Sequence, residues 1–376
     1  MTSNVLLLIA AGCVGVSALA AAAQAPAAQA QPTALNPATC LGQPGAGPAP
    51  ARGGGPGQPP QAGAAAAAPA PAPGPRDVTI AGIPGIIADG ARWTQVWQTT
   101  GNNADGVIAF TDGSVLVNQE DNSAVLRIDP SNDRVSVFLS DTNGSGSLSM
   151  NRQGRILAVQ RLPQANQPAV SNPSAPKVGG ISILYPERGM LADKFVDGSP
   201  WMGRPNDLTA DSQGGAYFSQ GCVYYASPSG TITLLAENIG TNGIVLSADE
   251  KTLYVTNGGA LAVFDVAAPG KLANRREWKL GGGGNGDGIT IDGQGRVYVS
   301  SPSGVQIFSP EGAYLGLIPT PRAISGQVFA GADKRTLYIV GFGGVDRNGR
   351  QSLQAGTGRT IYRIPMLAQG LMGRSK

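Results

Sequence analysis

Four short stretches of the chain place a polar side chain beside a small or tight-turning residue, directly ahead of an apolar run: Ala104-Asp105-Gly106-Val107, Arg204-Pro205-Asn206-Asp207-Leu208, Thr241-Asn242-Gly243-Ile244 and Gly286-Asp287-Gly288-Ile289. If they converge, Asp105, Asn206, Asn242 and Asp287 offer two carboxylates and two amide oxygens, an all-oxygen set suited to a hard divalent cation. Taken singly, each Asn-Gly or Asp-Gly pair is also a plain turn signal, and the chain has 55 Gly. Composition narrows the chemistry further. There is no His among the 376 residues, which removes Ser-His-Asp and Cys-His catalysis and any His-held zinc or haem. The 27 basic and 24 acidic residues leave a net charge of only +3, without a Lys/Arg cluster, so no nucleic-acid partner is expected.

What must position these residues is a repeat. From residue 101 onward an Asp/Asn-Gly turn leads into a short apolar strand, as in Asp112-Gly113-Ser-Val-Leu-Val, Asn151-Arg-Gln-Gly154-Arg-Ile-Leu, Asp211-Ser-Gln-Gly214-Gly-Ala-Tyr217 and Asp292-Gly-Gln-Gly295-Arg-Val-Tyr298. Two further copies, Asp249-Glu-Lys-Thr-Leu-Tyr254 and Asp333-Lys-Arg-Thr-Leu-Tyr338, keep the Asp and lack the Gly. Asp and Asn close local turns through their side chains, Gly supplies positive φ, and β-branched and aromatic residues fill the following strand. Six copies at a period of roughly 40 residues, with no long helical apolar period, predict an all-β six-bladed propeller. The four polar residues precede the first strand of their blades, where side chains face the central channel. Ring closure is expected between the strand-like 92–98 and Thr360–Ile364. The four Trp, including Trp201, read as packing anchors between blades.

Arg204-Pro-Asn-Asp-Leu-Thr-Ala-Asp-Ser-Gln-Gly-Gly-Ala-Tyr-Phe218, Asn242-Gly-Ile-Val-Leu-Ser-Ala-Asp-Glu-Lys-Thr-Leu-Tyr-Val255 and Asp287-Gly-Ile-Thr-Ile-Asp-Gly-Gln-Gly-Arg-Val-Tyr-Val299 resemble the SMP-30/gluconolactonase/luciferin-regenerating-enzyme-like family. The resemblance runs through most of 101–365. It implies a divalent cation, usually calcium, in the channel on Asn206, Asn242 and Asp287, with Asp105 standing where the family carries Glu. It also implies that Arg204 contacts substrate oxygen; a structural ion pair is the other reading of that Arg. The implied activity is metal-dependent hydrolysis of a lactone or related ester, with Asp287 as general base. A non-catalytic propeller binding a sugar, a cell-wall fragment or a protein is the alternative.

Ahead of the repeat, Val5 to Ala23 is a short apolar run followed by small residues, which reads as a cleaved signal peptide over 1–23, with a retained anchor as the alternative. Residues 24–76 are almost entirely Ala, Pro, Gly and Gln and predict a disordered, extended linker, leaving 77–376 for the propeller. The expected product is a monomer, secreted or periplasmic, with no membrane contact beyond an uncleaved signal. Cleavage removes Cys13; Cys40 and Cys222 read as two unrelated thiols, although export permits a disulfide between them.

Overall fold

The computed structural model describes Met1, Cys40, 74–102, Ala104, 106–161, 179–351 and 358–376. The chain divides into two compact units, Met1–Ala34 and Leu35–Lys376; of the first only Met1 is described, and it is exposed. All of the expected signal peptide but Met1, and all of the expected linker but Cys40 and 74–76, lie outside the described residues. Among the described residues no helix is long and apolar enough to cross a membrane.

The second unit is the expected six-bladed β-propeller. After β1 (Thr94–Thr99), blade 1 runs β2 (Val107–Ala109), β3 (Val115–Gln119), β4 (Ala124–Ile128) and β5 (Val135–Leu139). Blade 2 follows as β6 (Ser145–Met150), β7 (Ile156–Gln160), β8 (Gly180–Tyr185) and β9 (Gly189–Ala192). Blade 3 has a fifth, short strand at its edge: β10 (Lys194–Phe195) precedes β11 (Asp207–Ala210), β12 (Ala216–Ser219), β13 (Val223–Ala226) and β14 (Thr231–Ala236), and pairs parallel with β14. Blade 4 is β15 (Thr241–Leu246), β16 (Thr252–Asn257), β17 (Ala260–Ala268) and β18 (Lys271–Lys279). Blade 5 is β19 (Ile289–Ile291), β20 (Val297–Ser301), β21 (Gly304–Phe308) and β22 (Tyr314–Pro319). Blade 6 comprises β23 (Ile324–Ala330), β24 (Thr336–Phe342) and β25 (Arg359–Pro365), with β1 completing it from the other end of the repeat. The β1–β25 pairing runs from Thr94 opposite Arg363 to Thr99 opposite Arg359, as ring closure requires. The inner strands β2, β6, β11, β15, β19 and β23 neighbour one another in that order and return to β2.

The turn chemistry explains why these residues make hairpins. Asn151 Oδ1 accepts from the backbone N–H of Gln153 (3.1 Å) and Arg155 (3.0 Å), and Asp211 and Asp292 do the same two and four residues ahead. Gly113, Gly154, Gly214 and Gly295 take the positive φ the turn needs. In the two copies without Gly, Glu250 (φ 60°) and Lys334 (φ 51°) occupy that conformation instead. Middle strands such as β3, β7 and β20 are buried at every position, because each blade is covered on both faces by its neighbours; hence their apolar runs in place of strict alternation. The outermost β18, KLANRREWK, is mostly exposed and charged, which discourages edge pairing with another chain.

Three features depart from or add to the sequence reading. Cys40 and Cys222 are not independent thiols: they form a disulfide of Cα–Cα separation 5.6 Å across 182 residues of sequence. Cys40 is 1% exposed and packs with Trp201, Phe218 and Tyr224, so the segment read as a free tether is pinned to the core at that residue. Cysteine spacing carries no information on such a long-range pairing. Trp201 is a packing anchor as expected, edge-on to Phe218 and Tyr224 at 5.2 and 4.8 Å. Finally, 366–376 continue past the last strand as a strap: the N–H groups of Leu367 and Ala368 donate to Ile86 O, Gly370 N–H to Lys334 O, and Met150 and Ser375 exchange backbone hydrogen bonds.

Candidate active site

The polar-Gly pairs do not form turns. Gly106, Gly243 and Gly288 lack positive φ. They sit instead where adjacent inner strands meet backbone to backbone: a Cβ on Gly243 would lie 2.2 Å from Asp287 O and 2.8 Å from Gly288 Cα, and one on Gly288 2.7 Å from Ser325 O. A Cβ on Gly106 would lie 2.8 Å from Ser147 Cα. Each glycine thus lets blades crowd the axis, and Asn242 and Asp287, which precede Gly243 and Gly288, are carried to the channel.

Asn206, Asn242 and Asp287 converge there, lining one cavity of about 30 Å³ together with Arg161, Asp207 and Lys376. Their backbones are fixed by the neighbouring strands. Asn206 N–H donates to Ser219 O (2.7 Å), Asn242 N–H to Thr256 Oγ1 (3.1 Å) and Asp287 N–H to Ser300 O (2.8 Å), while Ser219 Oγ donates to Asn242 O (2.5 Å). Among the described residues the Asn242 side-chain amide has no hydrogen-bond partner in the protein, which leaves its oxygen for a ligand. Two amides and a carboxylate around one small cavity fit a hard cation by donor chemistry and by room. Among the described residues no group of three or more Cys, Asp or Glu side chains is placed to hold a metal ion. Asp105, the fourth expected ligand, lies outside the described residues.

Arg204 is engaged as an ion pair: its Nη2 donates to Glu120 Oε1 at 2.5 Å. The other Glu120 oxygen accepts from Arg161 Nη1 (2.7 Å) and Asn102 Nδ2 (2.7 Å). Arg161 also donates through Nε to Pro205 O (3.0 Å) and through Nη2 to Asn206 O (2.7 Å). Glu120 and Arg161 stand just beyond β3 and β7, the second strands of blades 1 and 2, and together they brace the loop that presents Asn206. On the opposite wall Asp207 joins three blades and the strap. Its Oδ1 accepts from Ser147 Oγ (2.6 Å) and pairs with the Lys376 ammonium, and its Oδ2 accepts from Ile244 N–H (3.1 Å), next to Asn242.

Glu120, Arg161, Asp207 and Lys376 were not singled out by the sequence. The only available signal was Asp207 inside the Arg-Pro-Asn-Asp run; the other three gain their roles from strands distant in sequence.

Residues 191–342 match the family model described as the SMP-30/Gluconolactonase/LRE-like region. A gluconolactonase from Zymomonas mobilis is 32% identical over 167 residues, which cover 36% of this chain and 47% of that protein; the chain therefore spans less than half the length of this curated relative. Two solved structures share the fold. A gluconolactonase from Xanthomonas campestris has a TM-score of 0.59 at 22% identity, covering 79% of this chain and 96% of its own. The calcium-binding protein regucalcin from Agrobacterium tumefaciens has a TM-score of 0.55 at 14% identity, covering 74% and 95%. The matched region holds Arg204, Asn206, Asn242 and Asp287 within a closed ring of six blades, and over that region the chain is similar to the SMP-30/gluconolactonase/LRE-like family.

Proposed function

We propose that this protein is an exported lactone hydrolase whose channel cavity holds a divalent cation, calcium, on Asn206, Asn242 and Asp287, with Asp105 as a further ligand. The observation that carries the reading is the meeting of those two amides and one carboxylate in a single cavity, at equivalent places in three blades. The gluconolactonase relative supports the substrate class, and the calcium-binding neighbour and the oxygen-only donors support the metal. When bound, such a cation polarises the lactone carbonyl and stabilises negative charge on its oxygen.

The chain's own residues do the rest. A water adds its oxygen to the carbonyl carbon and gives its proton to Asp287. The ring C–O bond then breaks, and the proton passes on to the departing alkoxide, leaving a hydroxy acid. Asn206 and Asn242 hold the reacting group in register, and Arg204, oriented by Glu120, contacts substrate oxygen. Export is supported by the Cys40–Cys222 disulfide, which suits an oxidising compartment.

Protein prepared without chelator should contain about one calcium per chain and should open simple aldonolactones. Asp287→Ala removes a ligand and the base together, so hydrolysis is lost even in excess calcium. Asn242→Ala removes a neutral ligand only and regains part of its activity as calcium is raised. A parent-like rate and calcium affinity in Asp287→Ala would show that the chemistry lies elsewhere.

A further inference from the structure

Beneath the site, between the strap and the inner strands of blades 5 and 6, lies a second cavity, bounded by Thr290, Phe329, Lys334, Leu371, Arg374 and Lys376. Its volume, about 10 Å³, has room for one water-sized occupant. Arg374 is 1% exposed. Its Nη2 donates to Leu246 O (2.5 Å) and Ser247 O (2.8 Å), but its Nε and Nη1 have no acceptor. Lys334 is 7% exposed and donates to two carbonyls of the strap, Leu371 O (2.7 Å) and Arg374 O (3.2 Å).

Neither cation has a carboxylate within ion-pair distance among the described residues, and Lys376, the third cation on the cavity, is already paired with Asp207. The acids that act on Arg374, Glu250 first and then Asp211 and Asp249, stand beyond ion-pair distance and also serve Ser212, Tyr225 and Ser247. Burial holds Lys334 down to about 8, helped by the Arg374 charge, and Arg374 down to about 10. Two buried cations with no carboxylate in direct contact, and two unmade hydrogen bonds, at residues lining one small cavity are costly together. A water molecule could accept the N–H groups yet would leave the charge. A single small anion answers both.

We propose that this cavity is a halide site, in which one chloride ion sits between Arg374 and Lys334 and fastens the strap to the underside of the propeller. The proposal is independent of the lactonase reading, since it concerns a different cavity and is tested without activity.

The intact protein is melted in sodium methanesulfonate and then in mixtures with sodium chloride at constant ionic strength. Chloride should raise the melting temperature in a saturable way, by about 2 °C once it exceeds its dissociation constant fivefold. Crystals grown in bromide should show an anomalous peak between Lys334 and Arg374. Arg374→Met and Lys334→Met should each abolish the chloride dependence; should the first not fold, the second and the bromide peak decide. Equal melting in the two salts, a cavity holding only water in bromide-grown crystals, or a chloride effect that survives in both variants overturns the proposal.

Discussion

Replacing Arg161 by Met tests whether the braced loop, and not the cavity lining alone, makes the site. Met keeps much of the apolar stem and removes the guanidinium. What is lost can be read off the structure: the bond to Glu120, the bonds to Pro205 O and Asn206 O, and the partner of a carboxylate whose side chain is, like that of Arg161, 7% exposed. Breaking one side of a buried ion pair typically costs about 3–5 kcal/mol; Arg204 still offsets part of the Glu120 charge, but two loop carbonyls lose their donors as well. A domain of about 300 residues responds by about 2 °C per kcal/mol, so the melting temperature should fall by about 6–10 °C. Asn206 loses the contact that fixes its carbonyl, and kcat/KM on an aldonolactone should drop by about ten- to a hundredfold. Arg161→Lys should rescue little, since one ammonium cannot span Glu120, Pro205 and Asn206. Scanning calorimetry and lactone kinetics on the parent, Arg161→Met, Glu120→Gln and the double variant separate the pair's coupling from the loop contacts. If Arg161→Met melts within about 1 °C of the parent and Arg161→Lys is as active as the parent, the bracing argument is refuted.

Reduction, or Cys222→Ser, should lower the melting temperature by about 4–8 °C, from a disulfide contribution of about 2–4 kcal/mol; thiol titration of the oxidised mature protein should find no free Cys, and an unshifted melt would argue against the Cys40–Cys222 link. The pH dependence in chloride-free buffer follows from two opposite shifts. Lys334, held to about 8 by burial first and Arg374 second, loses its proton earlier folded than unfolded, so stability rises between pH 8 and about 10. Above pH 10 the sign reverses, because Tyr217, pushed up to about 12 chiefly by burial, keeps in the folded state a proton that the unfolded chain gives up. Denaturant titrations across this range should show the maximum, and Lys334→Met should flatten its rising limb; a parent curve that is flat from pH 8 to 10 would contradict the buried-cation account.

The blades were legible because each hairpin is written locally: Asp or Asn at its start, in four copies a Gly one or three places on, then a strand rich in Val, Ile, Leu and Tyr. Even the copies lacking Gly kept the Asp that caps the turn, with Glu250 and Lys334 accepting the left-handed backbone. Closure by β1 was legible too, since a six-fold repeat one strand short needs a strand from its other end. The meaning of Asn242-Gly243 and Asp287-Gly288 was not. A turn glycine and a close-approach glycine look identical in sequence, and only the 2.2 Å a Cβ would leave to Asp287 O separates them. Cys40, Glu120 and Arg161 were illegible for a shared reason: each acts on a partner from another blade or from outside the repeat, so no local pattern encodes its role.

The strap is the clearest case, because its two cations point to different tasks at one axis. Lys376 lines both cavities. It neutralises Asp207, whose other oxygen holds Ile244 beside Asn242, while Arg374 two residues earlier faces the lower cavity beside Lys334. A displacement of the strap would therefore strip Asp207 of its counter-charge and open the floor of the upper cavity at once. Most side chains lining the upper cavity come from the blades, but the counter-charge to Asp207 comes from a segment with no strand pattern at all. That segment makes backbone hydrogen bonds to Ile86, Lys334 and Met150, which are far from one another in sequence.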